Sequence, residues 1–368
     1  MKKLPVLIIL MFLFSCSNQP AEIKFYFQPE LTIGENTETE GVWFSSLNDF
    51  YVDSDQKIYC VDGEDKKINV FDKSGKPLFS FGRKGQGPGE FSYPVGIAVS
   101  RSGDIYVMDG GRRNISKFTS NGEFVASSNI GHPLAKIEIF DSGNLIVEIA
   151  KIDITNDLRQ SQFELRMIDP DLKQIQKSIY ERPVVHLTWV AGNDEGQMFT
   201  QQIPFAPKIT WKIINDRLYV GYSDQYLISV FDSNGNLIKK LTKNIKREKV
   251  QSGEKEKWIN ETVQRLANIP RCSPAIIRKS MEKITLPKIM PAFTNLSACS
   301  SGLIVFRNPE KQGTPAIVYD ENDRETNKVI FEFNNFKFFY GKYYRIVSSE
   351  DKPPILIRYD ISDNPEID

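Results

Sequence analysis

The chain has 368 residues, with 47 Lys plus Arg against 47 Asp plus Glu, so its formal net charge is zero; 40% of the residues are hydrophobic and 26% charged. That composition is globular and excludes a disordered or collagen-like chain, a multi-span membrane protein and a globally basic nucleic-acid binder. Histidine is confined to His132 and His186, and the four cysteines form no CxxC pair, which excludes a cysteine zinc cluster of the usual spacing and a disulfide-framework domain.

Met1-Lys2-Lys3 is a short positive segment, and the eleven residues from Leu4 to Phe14 are uncharged and almost all apolar. As a helix they rise only about 16 Å against a bilayer core of about 30 Å, so residues 1–15 read as a signal peptide and not as a span. Their end, Leu13-Phe14-Ser15-Cys16, resembles the lipobox of bacterial lipoproteins. The resemblance implies cleavage before Cys16, lipidation of that thiol and acylation of the new N-terminus by chains such as palmitate; several acyl chains anchor stably where one is marginal. On this reading residues 16–40 hold a membrane tether and a closing strand. The body, residues 41–368, faces the periplasm or the exterior of a bacterial envelope.

A repeat runs through that body. Ile58-Tyr59-Cys60-Val61-Asp62 and Ile68-Asn69-Val70-Phe71-Asp72 recur as Ile105-Tyr106-Val107-Met108-Asp109 and Ile115-Ser116-Lys117-Phe118-Thr119, with a constant offset of 47 that also relates Gly75 to Gly122. Each unit predicts short alternating strands separated by tight turns, with the glycines supplying positive φ. Weaker copies start near Ile137, Arg217 and Ser301, and Phe338–Tyr340 with Ile355–Asp360 close the chain. Repeats of 40–50 residues with four strands each are propeller blades. Five units are countable. A sixth is expected from the C-terminal strands plus an early strand at Ile23–Phe27, which closes the ring and removes exposed sheet edges.

Gly82-Arg83-Lys84-Gly85-Gln86-Gly87-Pro88-Gly89-Glu90-Phe91, followed by Tyr93–Val99, Gly103–Asp109 and Ile115–Phe118, resembles the inter-blade signature of NHL-repeat six-bladed propellers. Together with the lipobox it resembles the bacterial six-bladed propeller lipoproteins of unassigned function. The glycine-rich loop is not a phosphate cradle, because no Gly-Lys-Ser/Thr follows and it lies between strands. The expected fold is all-β, a six-bladed β-propeller with a helical-hairpin insertion between late blades.

The insertion spans about 243–291. Ser252 is a candidate cap for a first helix with Ile259, Val263, Leu266 and Ala267 on one face, and Ser273-Pro274 opens a second with Ile277, Met281 and Ile284. From Lys239 to Lys288 there are fourteen Lys/Arg against five Glu. That surplus suits a lid, a docking surface for an acidic partner, contact with anionic headgroups, or simply a solvated face whose apolar stripe lies on the propeller.

Chemistry is sparse. The NHL resemblance implies a class that includes channel-metal lyases and hydrolases; the amidating lyases among them need several histidines from different blades, and two do not supply them. His132 suits a turn; His186 faces either channel or core. Asp53, Asp55, Asp62 and Asp109 leave a carboxylate calcium site open, although aspartate at blade turns is most often a turn former. No GxSxG elbow or nucleophile–base pair can be assigned, so no catalytic residue and no cofactor are named. Arg112, His186, Trp189 and Tyr222 are candidate binding residues; Trp189, Trp211 and Tyr222 suit the lining of a carbohydrate- or peptide-binding mouth, although propeller aromatics more often pack between blades. Cys272 and Cys299 are a candidate disulfide that pins the insertion to the fifth blade. The leading expectation is a binding or assembly scaffold for an envelope protein, peptide or glycan partner and not for nucleic acid; the alternative is a channel-sited lyase or hydrolase, calcium-assisted or not.

Overall fold

A computed structural model describes residues 23–34, 43–151, 161–173, 175–183, 185–310, 313–349 and 352–362. The leader and Cys16 lie outside them. Runs such as Ile58–Asp62 and Ile105–Asp109 are buried at every position, which is what strands packed on both faces require. The chain opens with β1 (Ile23–Ile33). Blade 1 follows as β2 (Leu47–Val52), β3 (Ile58–Asp62), β4 (Lys67–Phe71) and β5 (Pro77–Phe81), and blade 2 as β6 (Pro94–Val99), β7 (Ile105–Asp109), β8 (Asn114–Phe118) and β9 (Phe124–Asn129). Blade 3 is β10 (Leu134–Ile139), β11 (Leu145–Lys151), β12 (Gln162–Ile168) and β13 (Ile175–Pro183). After a separate hairpin, β14 (Leu187–Ala191) and β15 (Met198–Gln202), blade 4 is β16 (Ile209–Ile214), β17 (Arg217–Tyr222), β18 (Leu227–Phe231) and β19 (Leu237–Thr242). Helices α1 (Glu254–Ala267) and α2 (Pro274–Glu282) precede blade 5, which is β20 (Asn295–Cys299), β21 (Gly302–Phe306), β22 (Thr314–Tyr319) and β23 (Glu325–Phe331). Blade 6 is β24 (Lys337–Phe339), β25 (Lys342–Ser349) and β26 (Lys352–Ser362), with β1 as its outer strand.

Ring closure is therefore made between the two ends of the polypeptide: β1 runs antiparallel to β26, with Tyr26 opposite Ser362 and Ile33 opposite Leu356, and its start runs parallel to β23. The turn between third and outer strands is built alike in five blades. The side-chain oxygen of Asp72, Thr119, Asp169, Asp232 or Asp320 accepts the backbone N–H four residues on, and the residue between, Gly75, Gly122, Leu172, Gly235 or Asp323, has φ of +60° to +85°.

Six apolar cores fill the six blade interfaces. Strand alternation decides which core a residue joins. On β3, Ile58 and Cys60 face blade 6, whereas Tyr59 and Val61 face blade 2. The seam between blades 5 and 6 is aromatic, with Phe27 stacked on Phe333 at 4.0 Å and edge-on to Tyr343 and Tyr359.

A seventh core lies outside the ring. Val190 of β14 packs with Ile259 and Leu266 of α1 and Ile277 and Met281 of α2, with Phe199 and Cys272 at its margin. The helices thus lay their stripes on the β14–β15 hairpin and not on a blade. Lys249 pairs with Ile289, and Val250 N–H donates to Lys288 O at 3.0 Å, so the insertion's two ends are joined into a stalk. The start of α1 differs from expectation: Gly253, in the left-handed region at φ 100°, takes the position assigned to Ser252, and the helix has no side-chain cap. Cys272 and Cys299 are unpaired, which corrects the expected disulfide. Cys272 belongs to the helical cap over the ring, whereas Cys299 ends the inner strand of blade 5, its Sγ 3.1 Å from Ser301 Oγ.

Candidate binding site at the capped channel mouth

Strand direction alternates through a blade, so the turn between second and third strands and the connection from an outer strand to the next inner one emerge on the same face. The connection from β13 to β16, which carries the β14–β15 hairpin, and the connection from β19 to β20, which carries α1 and α2, are both of this kind. The two insertions therefore rise side by side over one channel mouth and bury their apolar stripes against each other. Beneath them lies a cleft of ≈ 640 Å³, walled by residues 200–206, by Trp258, Glu261, Thr262 and Arg265 of α1, and by Pro291, Phe293, Thr294, Asn308 and Pro309 of blade 5. His186, Lys208 and Ser223 complete it. A recess of ≈ 160 Å³ continues toward the channel past Lys208, Thr210, Trp211 and Asn295.

His186 stacks on Phe163, ring centroids 5.1 Å apart. Burial, helped by the Lys208 charge, lowers its pKa to about 4, so the imidazole is neutral near pH 7. Burial also pulls the Lys208 ammonium below the usual lysine range, with Glu148 opposing. The Glu148 carboxyl is pushed up by burial although it accepts the Trp211 Nε1–H at 2.6 Å. Arg265 donates to Gln201 Oε1 at 2.5 Å across the cleft wall. The cleft combines one aromatic wall, several amides and hydroxyls, and a cation at its floor; such a set can orient a ligand by hydrogen bonds and charge.

The inner strands carry the channel's charges in pairs. Glu138 Oε1 is 2.9 Å from Lys136 Nζ and 3.0 Å from Lys212 Nζ, and its other oxygen accepts Ile213 N–H at 2.7 Å. Burial works to raise the Glu138 carboxyl, but the two ammoniums and that N–H outweigh it and hold it at about 2. Lys337 pairs with Asp49 at 2.5 Å and lies 5.0 Å from the Phe50 ring centroid. These carboxylates come from two blades and are already neutralised, so they hold the inner strands together.

Of the residues singled out in the sequence, His186 lines the cleft. Trp189 lies on β14, outside the cleft lining. Tyr222 ends β17, where the Arg182 guanidinium sits 5.7 Å from its ring. Arg112 donates to Glu90 O at 2.9 Å and ties down the glycine-rich loop, whose Glu90 also accepts Gly87 N–H and Arg83 Nε–H. Trp211 packs between blades 3 and 4. Asp53 accepts Lys57 N–H and Tyr59 O–H, and Asp62 and Asp109 each accept three backbone N–H groups. Among the described residues no three His, Cys, Asp or Glu side chains lie together as a metal site would need. Lys208, Trp258 and Arg265 escaped the sequence reading. Their signal was positional, since both connections that carry them emerge on one face.

Fold and cleft together define a six-bladed β-propeller with a cap over one channel mouth. The DUF5128 family model, described as a 6-bladed beta-propeller, matches residues 50–226, from blade 1 into blade 4. A Bacteroides fragilis protein described as a candidate exported protein superposes with a TM-score of 0.53 at 11% identity, covering 93% of this chain and 96% of that one. A DUF4221 family member from Bacteroides vulgatus gives 0.50 at 12% identity, covering 93% and 100%. At these identities the likeness concerns the fold alone. Protein brain tumor of Drosophila melanogaster is 31% identical over 124 residues, 32% of this chain; the match spans only 11% of that relative's length.

Proposed function

We propose that this protein is a lipid-anchored propeller of the bacterial cell envelope that captures a peptide or glycan partner in its capped cleft. The observation that supports binding is the cleft itself: two separate insertions build a wall over one channel mouth, and the side chains beneath it, among them His186, Lys208 and Glu261, have no hydrogen-bond or ion-pair partner among the described residues. The NHL-type loop and the lipobox support the envelope setting, and Cys16 is the proposed attachment point. A panel of oligosaccharides and octapeptides, screened by fluorescence anisotropy, tests the site. Gln202→Arg, which pushes a long side chain into the cleft from an exposed position, is expected to abolish binding while leaving the thermal transition unchanged. A panel with no binder, or binders indifferent to Gln202→Arg, rejects the cleft as the site. Separately, Cys16→Ser is expected to move the protein from the membrane to the soluble fraction; continued lipid labelling of that variant contradicts the anchor. The shifted pKa values of His186, Lys208 and Glu148 favour a second reading, in which the cleft hydrolyses what it binds; mass spectrometry of bound peptides and glycans after prolonged incubation decides it, intact ligand rejecting catalysis.

A further inference from the structure

The β14–β15 hairpin is a two-stranded sheet, and β15 pairs only with β14 among the described residues. The far edge of β14 is closed by α2, where Ala191 N–H donates to Ser280 Oγ at 3.0 Å. The far edge of β15 has no backbone partner among the described residues; its Thr200 carbonyl accepts only the neighbouring Gln201 Nε2–H, at 2.8 Å, a side-chain bond that an added strand would displace. Thr200, Gln201 and Gln202 are consecutive, yet all three line the cleft. Successive side chains of a strand point to opposite faces, so a cavity touched by three in a row runs along the strand's edge. An open edge beside a cleft is a template for one more strand.

The charge at the end of this edge is equally specific. Within the channel Lys136 and Lys212 share Glu138, and Lys337 holds Asp49. Lys208 is different: no carboxylate lies within 4.0 Å of it among the described residues, and it lines both the cleft and the recess beneath. It follows β15 by six residues, across the loop that forms the cleft wall.

We propose that an extended peptide segment adds to the free edge of β15 and places a carboxylate on Lys208. The inference rests on the cleft as a binding site and names its occupant. Main-chain bonds to β15 give affinity with little sequence demand, and Lys208 sets direction and end point. The carboxylate is either the C-terminus of the peptide or one of its Asp/Glu side chains; the experiment separates them.

The probe is an octapeptide library with free C-termini, screened against the purified full-length protein. Each hit is resynthesised as its C-terminal amide, with every Asp/Glu changed to Asn/Gln, and with single backbone N-methyl groups at each position. Strand addition predicts an every-second-residue pattern, in which methylation of the N–H groups facing β15 weakens binding at least tenfold and methylation between them does not. Lys208→Gln is expected to weaken binding about tenfold to a hundredfold, and Lys208→Arg to restore most of it. Loss on amidation marks a C-terminus; loss on Asn/Gln replacement marks a side chain. Hits indifferent to N-methylation overturn strand addition, and hits indifferent to both Lys208→Gln and carboxylate removal overturn the anchor. A library without binders, while saccharides bind in a manner blocked by Gln202→Arg, overturns the peptide assignment and keeps the cleft. Binding by neither class overturns both.

Discussion

Asp62 and Asp109 stand 47 residues apart and make the same bonds: Asp62 accepts the N–H groups of Ser45, Ser46 and Asp65, and Asp109 those of Ser92, Tyr93 and Arg112, each donor pair again 47 apart. The repeat thus extends down to single hydrogen bonds, which is why it was legible in sequence. The same economy governs the turn glycines, and their neighbours rank the cost of losing them. A Cβ on Gly75 meets Leu31 Cδ1 at 3.0 Å, whereas one on Gly122 lies 2.7–2.8 Å from Phe81 Cγ, Cβ and Cδ1. Gly75→Ala is expected to cost about 1–2 kcal/mol for its positive φ, and Gly122→Ala clearly more, because the Phe81 ring atoms lie near its backbone and have little room to give. Urea midpoints check the order; equal losses reject it. Blade 3 places Leu172 at this position and blade 5 Asp323, and both have a compensating contact: Leu172 is buried in the core between blades 2 and 3, and Asp323 accepts the Tyr219 O–H at 2.6 Å. Glu138 supplies a pH test. Its carboxyl is held at about 2 against an ordinary 4.5. A lowered carboxyl stabilises the fold fully above its unfolded value, and that stability is lost as pH falls from 4.5 toward 2. Glu138→Gln is expected to cost about 1–3 kcal/mol at neutral pH, since it leaves the half-buried Lys136 and Lys212 ammoniums without a counter-charge, and to flatten the acid limb of the midpoint-against-pH curve. An acid limb as steep as that of the parent protein contradicts the assignment.

At the scale of elements, the blades and the cap differ in how they announce themselves. A blade strand packs on both faces, so its residues must be apolar nearly throughout and its turns must carry Asx and αL residues; those constraints are local and readable. The early and late strands of blade 6 were readable for the same reason. The β14–β15 hairpin is not legible, because its strands bury little, Val190 and Gln201 being the buried positions, and its partner is a helix pair that begins 52 residues after it, at Glu254. The helical stripes were visible, but nothing local says whether they lie on a blade or on a hairpin. The cleft was invisible for this reason, and of its polar residues only the uncommon histidine stood out. Because the insertion leaves and returns through one stalk, replacing residues 252–286 by a short Asn-Gly turn is expected to keep the β-type circular dichroism and the main thermal transition, remove the helical signal and abolish cleft binding. Loss of the main transition would show that the cap carries the ring. Within the intact protein, Ile277→Ala is expected to destabilise the cap by about 2–5 kcal/mol, seen as faster amide exchange in α1, α2 and β14 with blade protection unchanged.

For the whole molecule, connectivity decides where the ring is weakest. Every blade interface is crossed by a covalent connection, including that between blades 6 and 1, because β1 belongs to blade 6 and the chain runs on from it to β2. The one gap in the ring's covalent path therefore falls inside blade 6, between β26 and β1, where an antiparallel ladder interrupted by a bulge at Glu30, the Phe27 aromatic cluster and the pairs from Glu30 to Lys342 and Arg358 seal it. Moving that gap tests the arrangement. A circular permutant that begins at β2 and joins β26 to β1 through a short loop makes blade 6 continuous but leaves the interface of blades 6 and 1 held by side-chain packing alone. All native strand pairs survive in it, so strand pairing alone predicts no change. Ring connectivity predicts a loss, since the apolar core around Phe44, Phe50 and Tyr344 must then close the ring without a covalent link and carry the loop-closure entropy itself. The permutant is expected to fold, to melt below the parent protein, and to show amide exchange rising first in β2, β24 and β25. A permutant as stable as the parent, or one that exchanges first between β26 and β1, would place the weak seam within blade 6 and remove the reason for pairing the first and last strands in one sheet.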